Sequence, residues 1–207
     1  MLPLIWVAMS TSIEEDPIAA ALARIEALDG YRVTLRSQGS GGEEVIRYSY
    51  RRPGQVRLDM EAPYPGAVLI YRPDTGKVQL WPFGSPGKRG GFTLRPTNRM
   101  VRSSRGHRVD QSDVGTLLRN VQQLQRHGST RRLEPTTLGE RAVQHVIVEA
   151  EPGRAISETA RYELWFDEET HFPLRVVSHG RQGERLESVR LEDISLDPTF
   201  PPDHFTP

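Results

Sequence analysis

Apolar and charged residues alternate without a break over 56–61: Val56, Leu58 and Met60 hold one parity, and Arg57, Asp59 and Glu61 hold the other. A period of two sends the two sets to opposite faces of a β-strand. Pro53-Gly54 ahead of this run and Asp74-Thr75-Gly76 after it supply the fixed φ and the positive φ of tight turns. Apolar runs at 67–71 and 78–83 lie on either side of the second turn, so 51–83 predicts one antiparallel meander. The same period runs through 31–37 and 44–51, where Tyr31, Val33 and Leu35 match Ile46, Tyr48 and Tyr50 across a Gly39-Ser-Gly-Gly42 hairpin. Further strands are predicted at 143–150, 161–167, 173–178 and 185–196. All these strands have one apolar face, and that face needs a cover.

Two segments switch to helical spacing. Asp16-Pro17 is an N-cap followed by a proline at the first helical position. It opens a helix over 17–29 with Ile18, Leu22, Ile25 and Leu28 in a stripe and Gly30 as its stop. A second helix is expected over 112–127, capped by Ser112, with Val114, Leu117, Leu118, Val121 and Leu124 in register and Gly128 ending it. Residues 84–110, rich in Gly, Pro, Ser and Arg, show neither period; a stretch of that length inside a domain reads as a functional flap or a mobile loop.

At 207 residues, with 36% hydrophobic and 26% charged positions, the chain suits one domain with a sizeable core. The expected division is a leader remnant over 1–12 and a single domain over 13–207. The run Met1-Leu-Pro-Leu-Ile-Trp-Val-Ala-Met without a basic n-region reads either as the tail of a secretory signal or as a first strand. It is too short to span a bilayer. The sequence has no cysteine, which excludes disulfides, thiolate metal sites and a cysteine nucleophile.

Formal charge is zero, yet residues 1–139 carry 20 Lys/Arg against 13 Asp/Glu while residues 140–207 carry 7 against 14. No acidic residue stands between Asp74 and Asp110, where Lys77, Lys88, Arg89, Arg95, Arg99, Arg102, Arg105 and Arg108 accumulate. Arg99, Arg102 and Arg105 are the candidates for an anionic head group. A solvated basic loop is the plainer reading, since basic positions are 25 Arg to 2 Lys throughout. A nucleic-acid partner is not expected, because the basic run lacks interleaved aromatics and a recognition helix.

Catalytic patterns are sparse. Gly84-Ser-Pro-Gly87-Lys88 lacks P-loop spacing, and neither a nucleophile elbow nor a His-Glu-x-x-His helix occurs. The six histidines form no ligand-type cluster, so neither a metal nor a cofactor is expected. His145 on a strand and His179 near a turn read as surface or satisfied polar residues, and Asp167-Glu168-Glu169 as a solvated turn.

Several motifs in order carry a resemblance. Arg52-Pro53-Gly54-x-Val56-Arg57 running to Pro63, the apolar strand after it, and Asp74-Thr75-Gly76-Lys77-Val78-x-Leu80-Trp81 occupy the first part. Leu164-Trp-Phe-Asp167, Phe172-Pro-Leu-Arg175 and Leu191-Glu-Asp-Ile-Ser-Leu-Asp-Pro198 occupy the last. Over roughly 31–83 and 159–206 the chain resembles the LolA/LolB/RseB superfamily of bacterial envelope lipoprotein carriers and sensors. The resemblance implies a mainly β, α+β fold: a curved antiparallel incomplete β-barrel with helices covering its concave face around an apolar cavity. It implies a periplasmic or envelope location and a lipid, acyl chain or lipidated protein as partner, with an envelope membrane protein as a further one. It also gives Arg52 the position that regulates cavity opening in the carrier branch, and Leu58 the place of a tryptophan there. The inward set expected to meet the ligand is Val33, Leu35, Ile46, Tyr48, Tyr50 and Arg52 from the first hairpin and its turn, with Val56, Leu58, Met60, Leu69, Tyr71 and Leu80 from the meander. Three functions stay open: a non-catalytic carrier, a sensor or partner-binding module of the same fold, and an enzyme of unknown type.

Overall fold

The computed structural model describes residues 15–39, 41–84 and 91–206. The leader reading of 1–12, and Lys88 and Arg89 of the basic run, fall outside the described residues. Helix α1 spans Pro17–Ala27 and α2 spans Val114–Gln125. The strands are β1 Gly30–Gly39, β2 Gly42–Arg51, β3 Gln55–Ala62, β4 Val68–Arg72, β5 Lys77–Trp81, β6 Phe92–Leu94, β7 Gly128–Arg132, β8 Thr136–Leu138, β9 Arg141–Ala150, β10 Arg161–Asp167, β11 Pro173–His179 and β12 Arg185–Leu196.

These twelve strands make one antiparallel sheet in the order β6-β5-β4-β3-β2-β1-β12-β11-β10-β9-β7, with β8 also on β9. β1 joins the two halves: it pairs with β2 on one side and with β12, from the far end of the chain, on the other. No pairing links β6 to β7 among the described residues, so the barrel stays incomplete, as the sequence led one to expect.

The predicted parity holds across the first half. Leu35 lies opposite Ile46, Ile46 opposite Met60, Tyr48 opposite Leu58, Leu58 opposite Leu69, and Leu69 opposite Leu80. Directly opposed residues share a face, so these side chains form one continuous concave surface.

Both helices lie on that surface. Asp16 caps α1, its Oδ1 accepting from the Ile18 N–H at 3.0 Å. Ile18, Ala21, Leu22 and Ile25 are buried, and Leu28 is already extended, so α1 ends before the predicted residue 29. The cap of α2 is Asp113, not the expected Ser112: Asp113 Oδ1 accepts from the Thr116 N–H at 2.9 Å, and Ser112 instead donates to the Val109 carbonyl at 2.8 Å. A carboxylate accepts more strongly than a hydroxyl beside the positive helix end. Leu118, Val121 and Leu124 of α2 enter the core beside Val146, Val148, Leu164 and Phe166.

Among its described residues, the stretch expected to be irregular over 84–110 carries regular structure. It contains β6 and two short 3₁₀ turns, Arg99–Val101 and Val109–Gln111, whose Val101 and Val109 are buried. β7 and β8 were not expected; their residues are largely exposed, so no apolar alternation announced them. On the convex face the C-terminal segment folds back, with Phe205 buried beneath the Arg51 guanidinium at 4.6 Å from its ring.

Candidate functional site

The concave face is filled at one end and hollow at the other. The hollow end holds a cavity of about 1050 Å³ between the sheet and the segment 95–113, which crosses from β6 to α2 as a strap. The β1–β2 hairpin tip, the β3–β4 loop and the chain leaving β5 all lie at this end of the sheet.

Seven of the residues expected to meet a ligand line it: Leu35, Ile46, Tyr48, Leu58, Met60, Leu69 and Leu80. The opposite wall comes from β10–β12, with Tyr162, Val176, Val189 and Leu191, and the roof includes Met100, Val101, Val109 and Leu117. These were missed because the sequence pairs strands within each half, whereas the cavity spans the β1–β12 seam.

The other expected residues do not come to the cavity. Val33 and Val56 are buried in the core, and Tyr50 and Tyr71 pack against it, because α1 and α2 occupy that end of the face. Arg52 stands exposed in the turn between β2 and β3, at the filled end, with its N–H donating to the Asp29 carbonyl at 2.9 Å. The carrier-branch role that the resemblance gave Arg52 therefore finds no cavity at that position.

The three basic candidates separate likewise. Arg99 and Arg102 are exposed on the strap and line the cavity. Arg105 is committed elsewhere: its guanidinium donates to the Leu186 carbonyl, and its Nε lies 3.9 Å from the Glu187 carboxylate.

Around Arg105 the strap is latched to the sheet. Glu187 Oε1 accepts from Ser37 Oγ at 2.5 Å, and His107 Nε2 lies 3.1 Å from Glu187 Oε2. The Ser104 N–H donates to Glu44 Oε1 at 2.8 Å. A Cβ on Gly41 would stand 2.5 Å from the Ser104 Cβ, so glycine at the hairpin tip is what lets the strap seat. Contact with Glu187 raises the His107 pKa above the usual imidazole value. Burial works to raise the Glu187 carboxyl, but hydrogen bonds from His107 and Ser37, with the charges of His107 and Arg105, outweigh it and hold the group below its ordinary value. A signal for this latch was present: Glu44 and Glu187 are carboxylates on the apolar parity of their strands.

Two tyrosines fix where the cavity stops. Tyr31 Oη accepts from the buried Val114 N–H at 2.9 Å, and Tyr48 Oη lies 3.3 Å from Ser112 Oγ, so the sheet holds the start of α2. Burial, then the neighbouring Tyr48, pushes the Tyr31 hydroxyl well above its ordinary pKa, and burial does the same to Tyr48. Both stay neutral. Phe172 meets the Tyr31 ring edge-on at 5.4 Å, and Tyr50 stacks on it at 5.1 Å.

His145 and His179 lie on the convex side around Glu163, at 3.6 Å and 3.2 Å, with His145 stacked on Trp165. Desolvation lowers the His145 pKa. Asp167 is buried as a turn cap accepting from Thr170, while Glu168 and Glu169 are exposed in the turn as expected.

No curated protein matches the sequence. Among solved structures, the Pseudomonas aeruginosa MucA/MucB complex aligns with a TM-score of 0.55 at 15% identity, covering 92% of this chain and 59% of that one. MucB in complex with MucA(peri) aligns at 0.50 and 15%, covering 92% and 58%. An uncharacterized conserved protein from Thermus thermophilus aligns at 0.54 and 12%, covering 91% and 97%. At these identities the likeness is one of fold, and the chain spans about three fifths of the MucB chains. In sequence, residues 95–207 match the family described as the MucB/RseB N-terminal domain, which carries the relationship through the strap and α2 as well as the closing strands. With more than half its length matched, the chain belongs to the MucB/RseB N-terminal domain family.

Proposed function

We propose that this protein is a non-catalytic envelope protein that holds an apolar ligand, a lipid acyl chain or the acyl group of a lipoprotein, in the cavity of its half-barrel. The observation that carries this reading is the cavity itself: about 1050 Å³, at the top of the usual range of about 300–1,000 Å³ for ligand sites, and walled by aliphatic side chains from both halves of the sheet. Burying about ten methylenes there yields about 8 kcal/mol, from which the cost of association is subtracted.

A fluorescent palmitate analogue titrated into the full chain tests it. Saturable uptake is expected, and Leu58→Asp, which puts a charge in the cavity wall, abolishes it while the thermal transition persists. No uptake by the wild type, or equal uptake by a folded Leu58→Asp, removes the reading.

A second reading rests on family membership. MucB has been solved in complex with MucA, and a partner-binding or sensing role for the present domain follows by analogy. Capture of a membrane-protein segment from the envelope, unchanged by Leu58→Asp, is its distinguishing result.

A further inference from the structure

Three of the large apolar side chains exposed among the described residues stand on the cavity lining. Tyr64 is 69% exposed, Phe83 98% and Met100 61%. They come from three separate segments: the β3–β4 loop, the chain leaving β5, and the strap.

Their exposure is built into the backbone. Tyr64 sits between Pro63 and Pro65 and Phe83 follows Pro82, so fixed φ values limit how far either can fold back. The Tyr64 turn is also tied down, with the Gly66 N–H donating to the Met60 carbonyl at 3.0 Å and the Ala67 N–H to the Tyr64 carbonyl at 3.1 Å. Exposed apolar groups that converge on an opening mark an interaction surface.

Two arginines of the strap stand beside them on the lining. Arg99 and Arg102 form no side-chain ion pair among the described residues. The nearby carboxylates are occupied: Glu44 by the Ser104 N–H, Glu187 by Ser37 and His107, Asp113 by Thr116.

We propose that this mouth docks on an anionic lipid surface, with Tyr64, Phe83 and Met100 entering the headgroup–acyl boundary and Arg99 and Arg102 meeting lipid phosphates. The inference rests on the reading of the cavity as an apolar-ligand site, which such docking would place against the source of its ligand. Aromatic and apolar residues flanked by arginine suit that boundary. A peptide added as a strand would use an open sheet edge, at β6 or β7, and not the exposed side chains at the mouth.

Flotation of the full chain with vesicles containing phosphatidylglycerol, against pure phosphatidylcholine, is the test. Binding is expected to the anionic vesicles and to fall steeply with salt, since exposed charges are screened over about 10 Å at 0.1 M. Arg99→Ser with Arg102→Ser lowers it by roughly thirtyfold at low salt, about fivefold per arginine. Tyr64→Ser, Phe83→Ser and Met100→Ser together lower it by at least about tenfold, and Leu133→Ser, an exposed apolar control at the far edge of the sheet, leaves it unchanged. Equal binding to both vesicle types, a triple variant that binds as the wild type does, or capture of an acidic apolar peptide with no vesicle binding overturns the proposal. Palmitate uptake from solution separates the two claims: its loss in the wild type condemns the cavity reading, whereas retention in the triple variant, with vesicle binding gone, supports docking.

Discussion

The two ends of the concave face differ in what covers them, not in what they are made of. The same strands supply Val33, Tyr50, Val56 and Tyr71 to the filled end and Leu35, Ile46, Leu58 and Leu69 to the hollow one. Over the first lie two helices with apolar stripes; over the second lies a strap in which only Pro96, Val101 and Val109 are buried and the other residues, Met100 apart, are polar or glycine. A sheet face becomes core or cavity according to the apolar volume of its lid.

Truncations on the two sides should sharpen this contrast most. Leu118→Ala, in the fully buried stripe of α2, should cost about 2–5 kcal/mol, whereas Leu58→Ala, whose side chain already faces open space, should cost about 1 kcal/mol or less. Urea denaturation reads both, and equal costs would mean the cavity is not hollow. Next comes Tyr31→Phe, which leaves the buried Val114 N–H without its acceptor and should destabilise by about 1–3 kcal/mol. Asp113→Ala removes the α2 cap and should cost about 1 kcal/mol by the same measurement.

The smallest effect belongs to the latch. The His107 pKa is raised, so its contribution is full below the ordinary imidazole value of 6.5 and is lost as pH rises through the raised one. The Glu187 pKa is lowered, so its contribution is full above the ordinary 4.5 and is lost as pH falls through the lowered one. The latch is therefore firmest between those ordinary values. Because the His107 side chain is 60% exposed, the change is on the scale of a surface pair, about 0.5 kcal/mol. Hydrogen exchange at the Ser104 and Arg105 amides, corrected for intrinsic rate, should lose protection by about twofold from about pH 6 to about pH 8, and His107→Gln should flatten that trend.

The strands and helices of the filled end were legible because each carries its own period: 3.6 in α1 and α2, two in β1 to β5. The cavity was legible only in part. Leu35, Ile46 and Leu58 could be placed on the right face, but nothing in their own strands distinguishes them from Val33 and Val56 one step along. That distinction lies in the path of residues 95–113, which has no period, and in the β1–β12 seam, which joins residues some 160 positions apart in the chain. β7 escaped notice for the opposite reason, since Ser129, Thr130 and Arg131 at a sheet edge have no apolar parity to show. Arg105 looked like its neighbours Arg99 and Arg102 and was distinguished only by the carbonyl and carboxylate it meets.

The central claim is that the hollow end holds an acyl chain. Native mass spectrometry of the wild type, incubated with palmitate and exchanged into volatile buffer, tests it most directly beside Leu58→Asp, which puts a charge in the cavity wall. The account predicts a one-to-one palmitate adduct on the wild type and its loss from Leu58→Asp. A wild type that carries no adduct, or an adduct of equal occupancy on both proteins, would contradict it.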